Sequence, residues 1–506
     1  MTTTEIDPRQ TGAQAGPDPK RFWALGIIAI AQLIVVLDAS VVIVALPSAQ
    51  HALGISVADR QWVMSAYTLA FGSLLLLGGR IADFLGRRRI FIVGLIGFAA
   101  SSALAGLAMS PAMLFGARAL QGAFAAIMAP AALSLLTVTF TEPRERARAF
   151  GLYGAIAGSG AAIGLVLGGT LTQLASWRWT LLINVPIALF AALGAARFIR
   201  ESRGGSGRGY DLPGAATATG GLFLLVYGFT MAGTNGWGAP LTLSLLFGAV
   251  VLLVGFVVIE MRSANPLLPL RVVLDRNRGG SFLASLLVGS AMLGAFLLLT
   301  YFFQGTLHYS VLKTGFAFLP FSGGVIVGAT VASRLLVRVG PRVLLSTGLV
   351  LAGLGALWFT RLGVDSSYVV HVLPAEIVLS FGMGLSFVTM SNTALVGVDP
   401  KDAGVASALV NTTQQAGGSL GTALLNTIAA SAAATFLAGH IHSAGAAQQA
   451  AVHGYTTAFA VSAGLLLLAA VLAALLVRGT GRHLQTVGEP TEQPVLEPAL
   501  VGDPAA

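Results

Sequence analysis

The 506-residue chain contains no cysteine. Disulfides, thiolate metal sites and cysteine nucleophiles are therefore excluded. Charge is also scarce. Asp, Glu, Lys and Arg together make up 10% of the residues, against roughly 25% in soluble domains. Three of the basic residues are lysines, Lys20, Lys313 and Lys401, and none follows a glycine. A phosphate-cradling loop ends in Gly-Lys, so this chain has no such loop, and a proton or other ion gradient, with no cofactor, is left as the economical energy source. Apolar residues are what the chain has in quantity: 55% are hydrophobic and the mean hydropathy is +0.82. The sequence reads as a polytopic membrane protein whose surroundings are a lipid bilayer.

A helix needs about 20 apolar residues to cross the hydrocarbon. Such segments run near 22–46, 61–79, 90–108, 111–138, 149–173, 179–199, 213–233, 241–260, 281–304, 314–336, 341–360, 371–396, 403–433 and 455–477. The expected fold is all-α, with 14 transmembrane helices. The thirteenth, rich in Thr, Asn and Gln, is the weakest of them. Residues 1–21 are polar and precede a run longer than a signal peptide's core, so the first span is expected to be an uncleaved anchor. Residues 478–506 have the composition of a disordered cytoplasmic tail.

The net charge of +9 and pI of 10.3 raise the question of nucleic acid, and the positions of the basic residues answer it. With the N-terminus inside, the loops carrying Arg87 to Arg89, Arg144 to Arg148, Arg197 to Arg208, Arg262 to Arg278, Arg334 to Arg342, Lys401 and Arg478 are cytoplasmic. The outer loops hold Arg60, Arg178, Lys313 and Arg361. Setting aside these four and Arg118, which lies within a span, 29 − 5 leaves 24 basic residues inside. This asymmetry predicts an even number of spans in the cell membrane with both termini cytoplasmic. The basicity is topological, and no nucleic-acid partner is implied.

The charged turn G-R-I-A-D-F-L-G-R-R-R at 79–89 is echoed by S-R-L-L-V-R-V-G-P-R at 333–342. Arg334 matches Arg80, Gly340 matches Gly86 and Arg342 matches Arg88, each 254 residues on, while Val337 stands where Asp83 would fall. The two copies follow the second and tenth spans. That is a shift of eight where two joined six-helix halves give six, so two helices are inserted. The expected division is a tail 1–21, a six-helix bundle 22–200, a linker with helices 7 and 8 over 201–280, a second bundle 281–477 and the tail 478–506.

Charges inside hydrocarbon are costly, so each is a functional candidate. Asp38 lies eight residues before Leu46, about 12 Å from the outer end of the first span at 1.5 Å per residue. Arg118 follows Pro111 by seven, about 10 Å from the same side by the same rise. The matching depths allow an ion pair or a water-bridged relay able to load and release a proton; a purely structural pair is the plainer reading. The 254-residue offset carries Asp38 to Met292, so the second bundle lacks the equivalent acid. Glu376 and His371 form a second candidate pair, with an interfacial helix start as the alternative. Gln121, Asn184, Asn392, Asn411, Gln414 and Gln415 offer hydrogen bonds to a substrate or between helices. Tyr301, Phe302, Phe303 and Gln304 offer either an aromatic wall for a ligand or an interfacial belt. The fifth span carries Gly154, Gly158, Gly160, Gly164, Gly168 and Gly169, a series suited to close packing or bending.

Several ordered patterns together resemble the fourteen-helix drug:proton antiporters of the major facilitator superfamily. They are L-D-A-S-V-V-I-V-A-L-P at 37–47, Q-W-V-M-S-A-Y at 61–67, the turn at 79–89, R-A-L-Q-G at 118–122 and S-W-R-W-T-L-L-I-N-V-P at 176–186. The resemblance implies Asp38 as the proton-coupling carboxylate with Arg118 as its basic partner. It implies Gly79, Arg80, Asp83, Gly86 and Arg87 as elements of a cytoplasmic gate, and Gly160, Gly164, Gly168 and Gly169 as a hinge. Asp83 is suited to capping the helix that Pro341 starts when that face closes; a solvated, membrane-anchoring turn is the alternative. One departure stands out: the family's fifth-helix motif has the form G-P-x-x-G-G, and here G-L-V-L-G-G at 164–169 puts Leu165 in place of proline, removing a fixed kink.

The implied activity is efflux of hydrophobic or amphipathic drugs or antibiotics by alternating-access proton antiport, with a small-molecule substrate and protons as partners and no enzymatic step. A dedicated exporter of one metabolite, such as an antibiotic, lipid precursor or siderophore, and a non-transporting receptor or scaffold are the rivals. The sequence names neither substrate nor oligomeric state.

Overall fold

In the computed structural model, the described residues are 21–478 apart from 58, 141, 204–210, 264–267, 269, 396–397, 399–402 and 441–444. The expected tails and the Gly- and Ser-rich link between the sixth and seventh helices lie outside them, within 1–20, 204–210 and 479–506. The described residues contain helices, with no strand among them. We number the long helices α1 (Arg21–Leu53), α2 (Trp62–Leu85), α3 (Arg87–Gly106), α4 (Pro111–Thr139), α5 (Pro143–Leu174), α6 (Trp179–Phe198), α7 (Leu212–Asn235) and α8 (Pro240–Arg262). They continue as α9 (Arg276–Tyr301), α10 (Val311–Leu336), α11 (Pro341–Trp358), α12 (Leu373–Leu395), α13 (Ala403–Gly439) and α14 (Ala446–Leu476). Among the described residues, 12 helices are long and apolar enough to span a membrane, or 13 if α2, bent by 55° between its 62–75 and 77–85 parts, counts as one. In α5 the apolar stretch is the short Ile163–Leu174.

Local chemistry sets several ends and breaks. Ser110 accepts the Met113 N–H at 3.3 Å and Pro111 opens α4, a capped start with the proline where its missing donor does no harm. α6 breaks between Leu182 and Asn184, because Pro186 has no N–H for the Leu182 carbonyl. The two turns of the internal repeat have the same backbone form. Gly86 (φ +110°) and Gly340 (φ +88°) each end one helix and begin the next, and their N–H groups donate to the Ala82 and Leu336 carbonyls. The left-handed region favours glycine there.

Packing repeats in step with the turns. α1 lies on α5, α2 on α4, and α3 on both α4 and α6. Eight helices later, α9 lies on α13, α10 on α12, and α11 on both α12 and α14. One core gathers around Ile28, Phe91, Phe98 and Leu135, another around Leu298, Phe302, Phe318 and Phe459. α7 and α8 pair with each other outside this scheme, with α7 against α2 and α13. α8 is predominantly exposed, its Val250, Val254 and Val257 facing outward. The two sets of helices meet through α1 and α9, α2 and α13, and α5 and α10.

Candidate functional site

Glycines bring the polar centre of the first bundle together. A Cβ on Gly122 of α4 would stand 2.2 Å from the Tyr67 carbonyl oxygen, and one on Gly78 of α2 would stand 2.2 Å from the Ala126 carbonyl oxygen. With backbones this close, Arg118 reaches across α2 and α1. Its Nη1 donates to Asp38 Oδ2 at 2.5 Å and to Gln121 Oε1 at 2.9 Å, and its Nε donates to the Val63 carbonyl at 3.1 Å. Asp38 Oδ1 accepts from Asn184 Nδ2 at 2.8 Å and from Gln121 Nε2 at 3.2 Å, and Gln121 also donates to Ser102 Oγ at 2.7 Å. The Arg118 guanidinium stands 4.5 Å from the Tyr67 ring centroid. Asp38, Arg118, Gln121, Ser102 and Asn184 are all 0% exposed.

The expected Asp38–Arg118 pair is thus formed, and Gln121 and Asn184, candidates for substrate contact, are bound to its carboxylate. A buried ion pair is favourable only when its remaining lone pairs and protons are satisfied. Asp38 meets that condition. Arg118 Nη2 and the Tyr67 hydroxyl, both buried, have no hydrogen-bond partner among the described residues, which leaves donor and acceptor capacity beside the carboxylate. Ser102 carries no signal in sequence beyond being a serine in an apolar helix, and Tyr67 none beyond closing the Q-W-V-M-S-A-Y pattern.

At the arginine-rich end of this bundle, Asp83 takes the Arg87 Nε donor at 2.8 Å. It is bonded within its own turn and not to the start of α11. Glu201, just past α6, accepts the N–H groups of Arg88 at 3.1 Å and Arg89 at 3.2 Å, placing a carboxylate at the N-terminus of α3. A Cβ on Gly86 would lie 2.7 Å from this carboxylate. Gly79 packs on the Pro130 side chain, and Arg80 also has a partner. Sequence reading missed Glu201, which lies among basic residues in an apparent loop.

The arginine-poor end joins the two bundles. Arg60, read from sequence as an outer-loop charge, is 6% exposed. Its Nε donates to Asn426 Oδ1 of α13 at 3.0 Å, and its guanidinium lies 4.0 Å from the Tyr301 ring centroid of α9. Asn426 donates to Gln61 Oε1 at 3.3 Å, and Gln61 donates to the Thr230 carbonyl of α7 at 3.4 Å. The Tyr301 hydroxyl is bonded to Gln50 of α1, and Gln304 donates to the Val44 carbonyl at 3.0 Å. Phe302 and Phe303 are buried in the second core. Tyr301 and Gln304 thus bridge bundles in this conformation.

The α5 glycines form two contact faces. Cβ atoms on Gly160, Gly164 and Gly168 would meet Val36 at 3.1 Å, Ser40 Oγ at 1.9 Å and the Val41 carbonyl oxygen at 2.8 Å, all on α1. A Cβ on Gly169 would stand 2.8 Å from the Val311 carbonyl oxygen, and the Leu165 carbonyl oxygen lies 2.5 Å from the Cβ position of Gly315, Val311 and Gly315 both being on α10. The residue in the proline position is therefore where α5 touches the other bundle. Of the remaining polar candidates, Asn392 is exposed and donates to the Val388 carbonyl one turn back at 2.8 Å. Asn411 is exposed and partnered, and Gln414 and Gln415 are half-buried. His371 accepts the Ser367 N–H through Nδ1 at 3.1 Å, whereas Glu376 contacts Tyr368. The expected His371–Glu376 pairing is replaced by these two contacts.

Two sets of helices repeating one packing scheme, an apolar exterior and a buried ion pair are the architecture of a membrane carrier. The Major Facilitator Superfamily model matches residues 28–422, and the chain belongs to that family. It is 51% identical over 473 residues to the puromycin resistance protein pur8 of Streptomyces alboniger, covering 93% of this chain and 94% of that one. It is 42% identical to the cephamycin export protein CmcT of Amycolatopsis lactamdurans, covering 81% and 85% of the two chains. It is 34% identical to the lincomycin resistance protein of Streptomyces lincolnensis, again covering 81% and 85%. A bacterial homolog of the human lysosomal transporter Spinster, in an inward-facing and unoccupied conformation, superposes with a TM-score of 0.65 over 93% of this chain and 99% of that one at 15% identity. That likeness concerns the fold alone.

Proposed function

We propose that this chain exports a hydrophobic or amphipathic antibiotic from the cell in exchange for protons, by alternating access of its two bundles. The observation that carries the reading is the buried Asp38–Arg118 pair. A carboxylate wholly removed from water, held by one cation and two amides, is placed to exchange its cation contact for a proton when the helices around it move. Extensive similarity to a puromycin resistance protein and a cephamycin export protein supports antibiotic export over a receptor or scaffold role. Puromycin is the first substrate to test.

The reading includes fourteen spans with both termini cytoplasmic, a first bundle 22–200, a linker 201–280 holding α7 and α8, and a second bundle 281–477. The arginine-rich face is then cytoplasmic. The hydrogen bonds joining α1 and α2 to α9 and α13 sit at the opposite, outer end, so this conformation is closed to the outside. Gly79, Arg80, Asp83, Gly86 and Arg87 form the inner gate, and Asp83 exchanges Arg87 for the α11 start when that gate shuts. Gly160, Gly164, Gly168 and Gly169 provide the sliding surface between α5 and its neighbours. Asn392, Asn411, Gln414 and Gln415, together with Tyr301 and Gln304 once the outer end opens, supply polar contacts to the drug.

The test is puromycin flux in vesicles containing the purified full chain under an imposed pH gradient. Wild type is expected to move drug against its gradient, and Asp38→Asn to lose at least tenfold of that flux while keeping downhill exchange. Gradient-driven flux undiminished in Asp38→Asn overturns the coupling role. No flux of any kind in wild type favours the receptor.

A further inference from the structure

The second bundle also contains a buried carboxyl. Glu376, in the first turn of α12, is 1% exposed and its Oε1 has no hydrogen-bond partner among the described residues. It borders a narrow cavity, lined also by Met292, Phe296, Phe321, Phe359 and Phe459. Among the described residues no Lys, Arg or His nitrogen lies within 4.0 Å of it in an ion pair.

The internal repeat gives this place a meaning. The 254-residue offset that carries Asp38 to Met292 carries Glu376 back to position 122, next to Gln121. α9 and α12 touch here as α1 and α4 do in the first bundle. The cavity therefore occupies the position of the Asp38–Arg118–Gln121 centre, with its acid moved to the other helix and its arginine missing.

The Tyr368 oxygen lies 2.8 Å from the Ala317 carbonyl oxygen and 3.3 Å from Glu376 Oε2. A carbonyl only accepts, and a phenol has a single hydrogen. That one hydrogen cannot serve both acceptors, so a charged Glu376 competes with the Ala317 carbonyl for it, whereas a protonated carboxyl donates to the Tyr368 oxygen and leaves both contacts satisfied. A bare carboxylate among four phenylalanines is also strongly disfavoured.

We propose that Glu376 is a second proton-carrying site of this protein. It is neutral in the conformation described and releases its proton when α12 moves against α9. The inference rests on the proton-driven reading for its purpose, but not for its chemistry. The side chains that face Glu376 from α9, α10 and α14, and from Phe359 just after α11, are apolar, the Phe321 backbone N–H of α10 lies beside the carboxyl, and α13 has no titratable residue. The groups able to influence it are Tyr368 in contact, His371 on the preceding turn, and Lys313, whose Nζ lies 3.7 Å from the ring centroid of Tyr309 beside Tyr368. Tyr301 of α9 is bonded to Gln50, and Arg361 is exposed.

Infrared spectroscopy of the purified full chain in lipid nanodiscs tests this directly, through the carbonyl stretch of neutral carboxylic acids at neutral pH. The expected result is a band lost in Glu376→Gln, retained in Asp38→Asn and removed from wild type by raising the pH. In Tyr368→Phe, which keeps the carboxyl and removes its partner, the band should persist at a changed frequency with a changed titration midpoint. Puromycin binding, measured alongside, shows that each variant is folded. A folded Glu376→Gln protein with an unchanged spectrum overturns the proposal, as does a Tyr368→Phe band of unaltered frequency and midpoint. If vesicles show no pH-driven flux but the band behaves as expected, the proton-coupled export reading fails and the protonation site stands.

Discussion

The two bundles share a scaffold and differ in the chemistry at its centre. α1, α4 and α6 enclose an ion pair whose carboxylate takes three hydrogen bonds. The corresponding part of the second bundle holds Met292, aromatic rings and one half-satisfied carboxyl. The same helix contacts recur in both, so the scaffold does not depend on the polar network. Close approach of glycine-bearing helices makes the scaffold, and the polar residues are set into it.

Arg118→Met should break this comparison most sharply. It leaves Asp38 buried without a cation, and removing one partner of a buried pair costs about 3–5 kcal/mol. Thermal unfolding in detergent should show a large drop, and gradient-driven flux should vanish. The double variant Asp38→Asn/Arg118→Met should regain part of the thermal stability and none of the flux. If it regains nothing, the network and not the scaffold holds the first bundle together.

Next in size is a matched pair that tests the shared scaffold. A Cβ on Gly164 would stand 1.9 Å from Ser40 Oγ, and one on Gly421 would stand 1.8 Å from the Ser290 carbonyl oxygen. Gly164→Val and Gly421→Val should each destabilise by about 1–3 kcal/mol or more through overpacking, as read from the loss of monodisperse protein on heating. Tolerance of Gly421→Val alone would mean that α9 and α13 are free to separate where α1 and α5 are not.

The smallest expected effect compares the repeated turns. Alanine at Gly86 or Gly340 has to adopt positive φ with extended ψ, at about 1–3 kcal/mol. Gly86→Ala should lower the unfolding temperature further than Gly340→Ala, because the Glu201 carboxylate lies where its Cβ would go. Equal shifts would show that Glu201 moves aside freely.

The Asp38–Arg118 pair was legible in the sequence because depth along a spanning helix follows from counting residues, and two opposite charges at one depth have reason to meet. The likeness of the two turns was legible for a similar reason, since Gly86 and Gly340 both stand at positive φ, where glycine is favoured. The destinations of Gln121 and Asn184 were not legible. An amide in an apolar helix serves a ligand or a neighbouring carboxylate equally well, and only the positions of α1 and α6 decide between them. Arg60 was hidden for the opposite reason: at the start of a helix it resembles a solvated charge, and its burial depends on α13, more than 350 residues away. The span read at 149–173 has in the structure only the short apolar stretch Ile163–Leu174, because its glycines and arginines lower the hydrophobicity of a helix that packs tightly on both bundles.

The stitch running from Arg60 through Asn426 and Gln61 ends on the Thr230 carbonyl, and that atom belongs to neither repeated bundle. Parting the bundles at this end must either pull α7 along or detach it. α7 is paired with α8, whose broad valine face is turned away from the protein. In the proposed opening, α8 therefore travels with α7 unless the Gln61–Thr230 contact breaks first.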